Sequence, residues 1–413
     1  MGALSPGALP PIVEYEDVAW FRDEPQGARG AAAALGRRIG LGDRRTAELV
    51  LAVAELVANM RRHSVEASLV LRVVRTKDEA GVEVLVTDAG PGIADVSDAM
   101  RDGVSTGGTL GIGLGAVRRL ADTFDIHSRP GLGTVQLARF WPGPRKAPPL
   151  AGEPLVGGVT RPISGEEICG DAWLARVDPG GRQDDGDGGS AGAATAPTDP
   201  PLPVPGPATA AADWGTLTGV RHGTGSPSRY GRTVRSVGTR SVTIGDGPAL
   251  LVMLCDGLGH GPMAALAGQS AAQEFRAGSA RTSEQIVREL HRALRGTRGA
   301  AVAVARIEPE SGRVLFCGIG NVTAALVTPD SRTNMLSHPG IVGHQMHQLH
   351  TYEYLPQPGA ALIMHSDGLS ERWVPRDVAA FFPHSPSVMA AGLLRLAGTR
   401  RDDAGVVVAR GAW

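Results

Sequence analysis

ELVAN at Glu55 to Asn59 and VEVLVTDAGPG at 82 to 92 decide how the first part of this chain is read. Glu55 and Asn59 stand four residues apart where Leu49, Val53, Leu56 and Met60 recur at helical spacing, so both polar side chains share one helix face. Asp43 is placed to cap that helix. Leu69, Leu71 and Val73 form one alternating strand, and Val82, Val84 and Val86 a second that runs straight into Asp88. Gly90 and Gly92 then let a flat ligand approach the backbone. Downstream, TGGTLGIGLG at Thr106 to Gly115 precedes a helix through Val117 and Leu120, and such a start offers free N–H groups to phosphates. A last strand surrounds Thr134 to Phe140. Helix, strand, strand, loop, helix, strand makes a layered α/β sandwich.

Taken singly, each feature has an ordinary explanation: the wet side of a helix, a tight turn, a glycine-rich loop. Their joint order resembles the GHKL ATPase superfamily, and within it the anti-sigma-factor serine/threonine kinases of the RsbT/RsbW type. ELVAN matches that family's asparagine box and DAGPGI its first glycine box. STGGTLGIGLGAVRRLAD matches its lid and second glycine box, and SRPGLGT at Ser128 to Thr134 its closing motif. The resemblance covers approximately Leu41 to Arg139. It implies ATP and Mg²⁺ as ligands, with Asn59 on the Mg²⁺ and Asp88 on the adenine amine, supported through water by Thr134. Gly108, Gly111 and Gly113 would lie on the triphosphate, and Glu55 would be the general base toward a protein Ser or Thr hydroxyl. No Walker lysine motif or protein-kinase catalytic loop occurs. The first histidine is His63, which disfavours a sensor histidine kinase with a phosphoacceptor on a preceding helix.

In the second part, apolar runs repeatedly end in carboxylates. ALLVMLC delivers Asp256-Gly257, ALIMHS delivers Asp367-Gly368, Asp402-Asp403 precedes GVVVAR, and ICGDAW places Asp171 by a short strand. Asp-Gly after a strand is by itself an ordinary turn. Four acidic clusters at strand ends can meet on one sheet edge, where oxygen ligands suit hard cations. With GIGN at Gly318 to Asn321, they resemble the SpoIIE/RsbX branch of metal-dependent protein phosphatases, over Leu155 to Asp178 and Val242 to Arg410. The resemblance implies an α-β-β-α sandwich and a two-metal site taking Mg²⁺ or Mn²⁺. Asp256 would bridge the metals, the Gly257 carbonyl would reach one, Asp367 and Asp403 would complete the second, and Asp171 would orient bound waters. Gly405 and Ser366 depart from the family's commoner hydroxyl residues. No Cys is followed at the right distance by an Arg, which excludes a thiolate phosphatase.

The remaining sequence sets limits. The chain has 413 residues, too many for one ordinary core. Its net charge of -1 leaves no basic surplus for nucleic acid. Three scattered cysteines (Cys169, Cys255, Cys317) argue against disulfides or a zinc ribbon and for a reducing cytoplasm. Neither a signal peptide nor a membrane helix is evident. The expected domains are 10–141 and 155–413, joined by a Pro-rich linker at 142–154. A Gly-, Pro-, Ala- and Asp-rich tract at 178–240 is expected to be a disordered insertion. Thr282 and Gln285 form a capping-box pattern before IVRELHRAL. His338, His344, His347 and His350 read as a surface loop rather than a metal site.

The two resemblances together imply a regulator that phosphorylates and dephosphorylates Ser or Thr of STAS-domain anti-sigma-factor antagonists in a partner-switching pathway. A sigma factor is a candidate second partner, and the oligomeric state is left open, with a homodimer as one candidate because related kinases often dimerise. Two alternatives stand beside it: an ATP-dependent anti-sigma-factor binding module, and a nucleotide-sensing domain that gates the phosphatase.

Overall fold

The computed structural model of the protein describes residues 14–22, 25–76, 78–100, 113–143, 155–181, 235–236, 243–346 and 348–411. The low-complexity tract therefore lies outside the described residues except at its two ends, as do the glycines Gly108 and Gly111. Asp178, where that tract was expected to begin, is the ordered last residue of a strand.

The first part builds one sheet and a helical layer. Its elements are β1 (Glu14–Arg22), α1 (Ala28–Arg38), α2 (Asp43–His63), β2 (Ser68–Arg75), β3 (Ala80–Asp88), α3 (Val96–Ala99), α4 (Leu114–Leu120), β4 (Thr123–Arg129) and β5 (Gly133–Phe140). The antiparallel sheet runs in the order β1-β2-β3-β5-β4. Leu69, Leu71, Val73, Val82, Val84 and Val86 point to one face and pack on Leu49, Val53, Leu56 and Met60 of α2, as the alternation predicted. Asp43 does not cap α2. Gly42 holds the cap position with φ of 83°, and Asp43 is the first helical residue, where its charge meets the positive helix end.

The second part continues with β6 (Val156–Arg161), β7 (Asp171–Asp178), β8 (Arg235–Ser236), β9 (Ala249–Gly257), α5 (Pro262–Ala277), α6 (Ser283–Ala293), β10 (Ala300–Glu308), β11 (Arg313–Ile319) and β12 (Thr323–Val327). β13 (Arg332–Met335), β14 (Ser337–His338), β15 (Tyr352–Tyr354), β16 (Ala361–His365), α7 (Pro375–Val378), α8 (Pro386–Ala397) and β17 (Ala404–Arg410) complete it. One sheet runs β7-β9-β10-β11-β15-β8, with β14 beside β11, and the other β13-β12-β16-β17-β6. They face each other across Val252, Leu254, Phe316, Leu362 and Met364. α5 and α6 cover the outer face of the first sheet, and α6 begins with the expected Thr282–Gln285 capping box. No helix among the described residues is long and apolar enough to cross a membrane.

α8 joins the two parts. Ten of its twelve residues are buried, because it lies between two sheets instead of on a surface. One side packs on β6 and β17, and the other on Val70, Leu85, Val135 and Leu137, which point from the β1–β5 sheet away from α2. Farther along that face lies a buried ion network. Glu83 accepts from both Arg72 and Arg139, and Arg72 crosses to the Gly158 carbonyl at 2.5 Å. β1 seals this end, with Tyr15 under the Arg72 guanidinium and 5.2 Å from Trp173.

Removing Glu83 would leave two guanidinium groups buried together without their anion. Glu83→Leu is expected to cost about 3–5 kcal/mol of unfolding free energy in urea. Replacing Arg72, Glu83 and Arg139 together by apolar residues should cost less than that single change.

The N-terminal end of α8 is tied to β4. Asp125 accepts His384 Nδ1 at 2.7 Å and the Ser385 N–H at 2.8 Å, and His384 Nε2 meets His127 at 3.2 Å. Burial, with His384, Arg129 and Arg395 adding to it and Asp125 opposing, pushes His127 down to about 4. The folded chain thus holds His127 neutral where the unfolded chain is protonated. Stability is lost as pH falls from about 6.5 toward 4. Thermal melts of the wild type should shift downward between pH 7 and pH 5, and those of His127→Gln should shift less.

Candidate nucleotide and metal sites

Glu55 and Asn59 are half-buried on α2, beside its apolar stripe. Burial raises the Glu55 carboxyl above its ordinary range, opposed by Arg62. Asp88 ends β3 directly opposite Thr134 of β5 and is 5% exposed. Its Oδ1 accepts the Gly90 N–H at 2.7 Å, and burial holds its carboxyl above the usual value against that bond and the Arg395 charge.

The glycines of this region admit neighbouring backbone. A Cβ at Gly90 would stand 2.6 Å from the His63 carbonyl, and one at Gly92 would stand 2.1 Å from that of Arg129. Gly133, with φ of 76°, lies against the Asp88 carbonyl in the same way. Ser128 Oγ meets Thr134 Oγ1 at 2.9 Å and accepts the Ile93 N–H at 2.8 Å. The end of α2, the DAGPG turn and the β4–β5 hairpin are thereby locked together around Asp88. Gly113 precedes α4 with no side-chain cap, leaving the first N–H groups of that helix without a side-chain acceptor.

The second site forms where both phosphatase-type sheets end. Asp171 opens β7 and lies in register opposite Asp256 near the end of β9. Asp367 follows β16, and Asp402-Asp403 precede its neighbour β17. Carboxylates directly opposite across strands repel one another, so this end of the sandwich calls for positive charge. The carboxyls register it. Burial, and then Asp403, Asp367 and Asp402, push Asp171 up to about 8 against a hydrogen bond from Ser366. Asp256 is raised well above its usual value by burial and by Asp171, Asp367 and Asp402. Burial and Asp402 raise Asp367 as well. Asp171 Oδ1 is buried with no hydrogen-bond partner, an acceptor suited to a cation or its water. Among the described residues, no three acidic, His or Cys side chains stand in closed ligating geometry. The carboxylates gather within electrostatic reach without converging on one point.

Asp403 and Asp402 divide the work differently from the sequence expectation. Asp403 spends both carboxylate oxygens on backbone, accepting the Ile163 and Gly170 N–H groups at 2.6 Å each. Asp402 is the neighbour that acts on Asp256 and Asp367, and its own carboxyl is raised by burial and by Asp403. Two adjacent aspartates gave no signal in sequence to tell them apart. Asn321, the last residue of GIGN, donates to Asp367 Oδ2 at 2.9 Å. The departures at Ser366 and Gly405 compensate each other. The Ser366 hydroxyl donates to Asp171 at 2.6 Å and accepts the Gly405 N–H at 2.9 Å, while a Cβ at Gly405 would press on Asp171 at 3.1 Å. Gly257 is held within a close turn, where a Cβ would stand 2.4 Å from the Ala264 carbonyl.

Of the histidines near 338–350, His338 and His350 lie with ring centroids 4.8 Å apart beside Tyr352, and His344 stands apart from them. His338 bonds Tyr352 at 2.7 Å and His344 bonds the Thr297 carbonyl at 2.9 Å, while His347 lies outside the described residues. Cys169, Cys255 and Cys317 are free thiols, all pushed up by burial.

Comparison with known proteins agrees with this division. Residues 23–139 match the histidine kinase-like ATPase domain, and residues 246–410 match the stage II sporulation protein E (SpoIIE) family. The serine/threonine-protein kinase RsbT of Bacillus subtilis (strain 168) is 36% identical over 115 residues, which are 27% of this chain and 86% of RsbT. The chain belongs to the RsbT family, fused to a SpoIIE-type phosphatase domain. The phosphoserine phosphatase RsbX of the same organism is 25% identical over 161 residues, 38% of this chain and 79% of RsbX. A crystal structure of RsbX in complex with magnesium aligns at 17% identity and a TM-score of 0.39, covering 61% of this chain and 92% of that one.

In this RsbT–SpoIIE fusion, Asn321 donates directly to the Asp367 carboxylate and is exposed, so its loss should leave the fold intact. Asn321→Ala is expected to weaken Mn²⁺ binding about tenfold or more, as loss of an outer hydrogen bond to a metal ligand generally does. Calorimetric titration of the metal-free protein checks it.

Proposed function

We propose that this chain sets the phosphorylation state of a Ser or Thr on STAS-domain anti-sigma-factor antagonists, adding phosphate with its RsbT-type module and removing it with its SpoIIE-type module. The observation that carries the reading is the gathering of Asp171, Asp256, Asp367 and Asp402 from four chain segments at one sandwich end, with Asp171 in register opposite Asp256 and Asp402 acting on the other three.

In the kinase-type module, Asn59 would hold Mg²⁺, Asp88 would accept the adenine amine, and Gly108, Gly111 and Gly113 would lie against the phosphates. Glu55, its carboxyl raised by burial, would take the proton from the attacking hydroxyl. ATP-Mg supplies the phosphoryl group and neutralises its charge. In the phosphatase-type module, Asp256, the Gly257 carbonyl, Asp367 and Asp402 would hold Mg²⁺ or Mn²⁺. Asp403 would fix the loop on which Asp402 sits, and Asp171, steadied by Ser366, would orient water. A divalent pair there supplies Lewis acidity for hydrolysis of a phosphoserine.

Incubation with ATP-Mg and candidate STAS proteins, then with Mn²⁺ and the phosphoprotein, tests both halves. Glu55→Gln should abolish transfer and spare removal, and Asp256→Ala should do the reverse. Asp402→Asn should lose Mn²⁺ affinity, whereas Asp403→Asn should mainly lower the melting temperature. Absence of both transfer and removal on every candidate would end the proposal.

A nucleotide-gated phosphatase is the second reading, supported by α8, whose Arg395 charge acts on Asp88 and whose C-terminal end bonds the Asp367 loop. Thr399 N–H donates to the Gly368 carbonyl at 2.7 Å and Ser370 N–H to Ala397 at 2.8 Å. Under that reading, Asn59→Ala changes phosphatase rate while no phosphotransfer is detected.

A further inference from the structure

A cavity of about 330 Å³ lies between the first sheet and the C-terminal half of α8, on the sheet face opposite α2 and Asp88. Its volume is at the lower end of small-molecule pockets, which run from about 300 to 1,000 Å³. The composition of its wall sets it apart from the rest of the interface. Arg22, Arg161, Arg395 and Arg400 line it with a single carboxylate, Glu66, which pairs with Arg400 at 3.1 Å between two exposed side chains.

Arg22 donates to the Pro162 carbonyl, and Arg161 donates through Nη2 to that of Thr399, with further N–H donors on the Arg161 group. Arg395 Nε is buried and has no hydrogen-bond partner, and so is the indole N–H of Trp20, another lining residue. Each such donor has given up its water without a replacement. Both want an acceptor. Burial lowers the pKa of Arg161 and Arg395, and Arg22 and Arg400 lower Arg161 further, so the arginines stand together at a cost.

Simple adhesion between modules does not explain this wall. Where the same interface uses arginines as glue, Arg72 and Arg139 share Glu83 between them. Around the cavity the one lining carboxylate is the exposed Glu66, paired with Arg400. Ser68, Thr87 and Ser164 add hydroxyls, and Val70, Leu85 and Leu394 an apolar floor.

We propose that this cavity binds a small phosphorylated compound carrying a diphosphate group, held by Arg161, Arg395 and Arg400 with Trp20 as a further donor. Several guanidinium forks around one site suit the geometry of phosphate oxygens. A carboxylate monoanion would leave most of the charge unmet. The ligand's place follows from its walls: Ala89, next to Asp88, borders one end, and Arg400, two residues before Asp402, the other.

The full chain, stripped of divalent cations with EDTA, is titrated calorimetrically at low salt with inorganic pyrophosphate and separately with uridine diphosphate. Without cations, neither the Asn59 site nor the carboxylate cluster can take phosphate through a metal. Stoichiometric binding of at least one compound is expected. Binding of pyrophosphate alone assigns an inorganic ligand, and binding of the nucleotide assigns an organic one. Arg400→Gln, at a side chain 62% exposed and so not needed for folding, should weaken binding about tenfold, the loss of one charged hydrogen bond. Glu66→Gln, which removes the competing carboxylate, should tighten it, and Asn59→Ala should leave it unchanged. The proposal is overturned if neither compound binds, or if Asn59→Ala weakens binding while Arg400→Gln does not. It is equally overturned if a phosphoserine peptide binds and pyrophosphate fails to displace it.

Discussion

A helix with no polar face has nowhere to go but between two apolar surfaces, and α8 meets that condition by lying between β6–β17 and the first sheet. Val70, Leu85, Val135 and Leu137 therefore belong to the same core as Ile363, Val406 and Val408. If either sheet were withdrawn, one side of α8 would be left against water. Flexible linkage is the usual state of fused domains, because their interfaces are small and polar. Here the seam is a hydrophobic core closed by the buried charges of Arg72, Glu83 and Arg139, so the two modules fold as one body.

The ends of α8 carry the polar contacts that its middle cannot. At the N-terminal end, Asp125 of β4 accepts His384 and the Ser385 N–H, placing a carboxylate where a helix start favours one. At the other end, Arg395 acts on Asp88, while Ala397 and Thr399 bond the turn that carries Asp367. A shift of α8 along its axis would thus be felt at the candidate nucleotide site and at the carboxylate cluster together. Contact alone does not transmit anything; transmission needs an element with two arrangements. The polar ends of an otherwise apolar helix are where such a choice can be made, since their bonds exchange readily and its packed middle does not.

Much of this was legible in the sequence, for reasons that differ by element. Short motifs that join a glycine to a carboxylate at a strand end carry their chemistry in local order, so Asp88, Asp256 and Asp367 were found by position. The alternation of β2 and β3 gave the face on α2, but the same alternation makes Arg72, Glu83 and Arg139 look solvated. Only the covering phosphatase-type module buries them, and nothing near them in sequence announces it. α8 lacked helical periodicity because all its faces are apolar. β1 pairs at an edge under a seam that did not exist until both modules were placed. Asp402 and Asp403 are one residue apart, and which of them turns to the backbone N–H groups of Ile163 and Gly170 is settled by a loop more than two hundred residues upstream.

The run Arg400-Arg401-Asp402-Asp403 condenses the electrostatics of the molecule into four residues. Arg400 faces a cavity lined by four arginines and one carboxylate, Glu66, and Asp402 faces a sheet end where carboxylates crowd together. Each concentration opposes its own assembly, and each is held in place by the packing around it. Asp403 fixes the loop between them by its two backbone bonds, so the positions of Arg400 and Asp402 are not independent. Neutralising charge on one side removes a repulsion that the loop must otherwise withstand, and this alters what the other side needs. Because the RsbT-type and SpoIIE-type parts share one core along α8, a change of charge on one side of this loop meets packed structure on the other instead of open solvent.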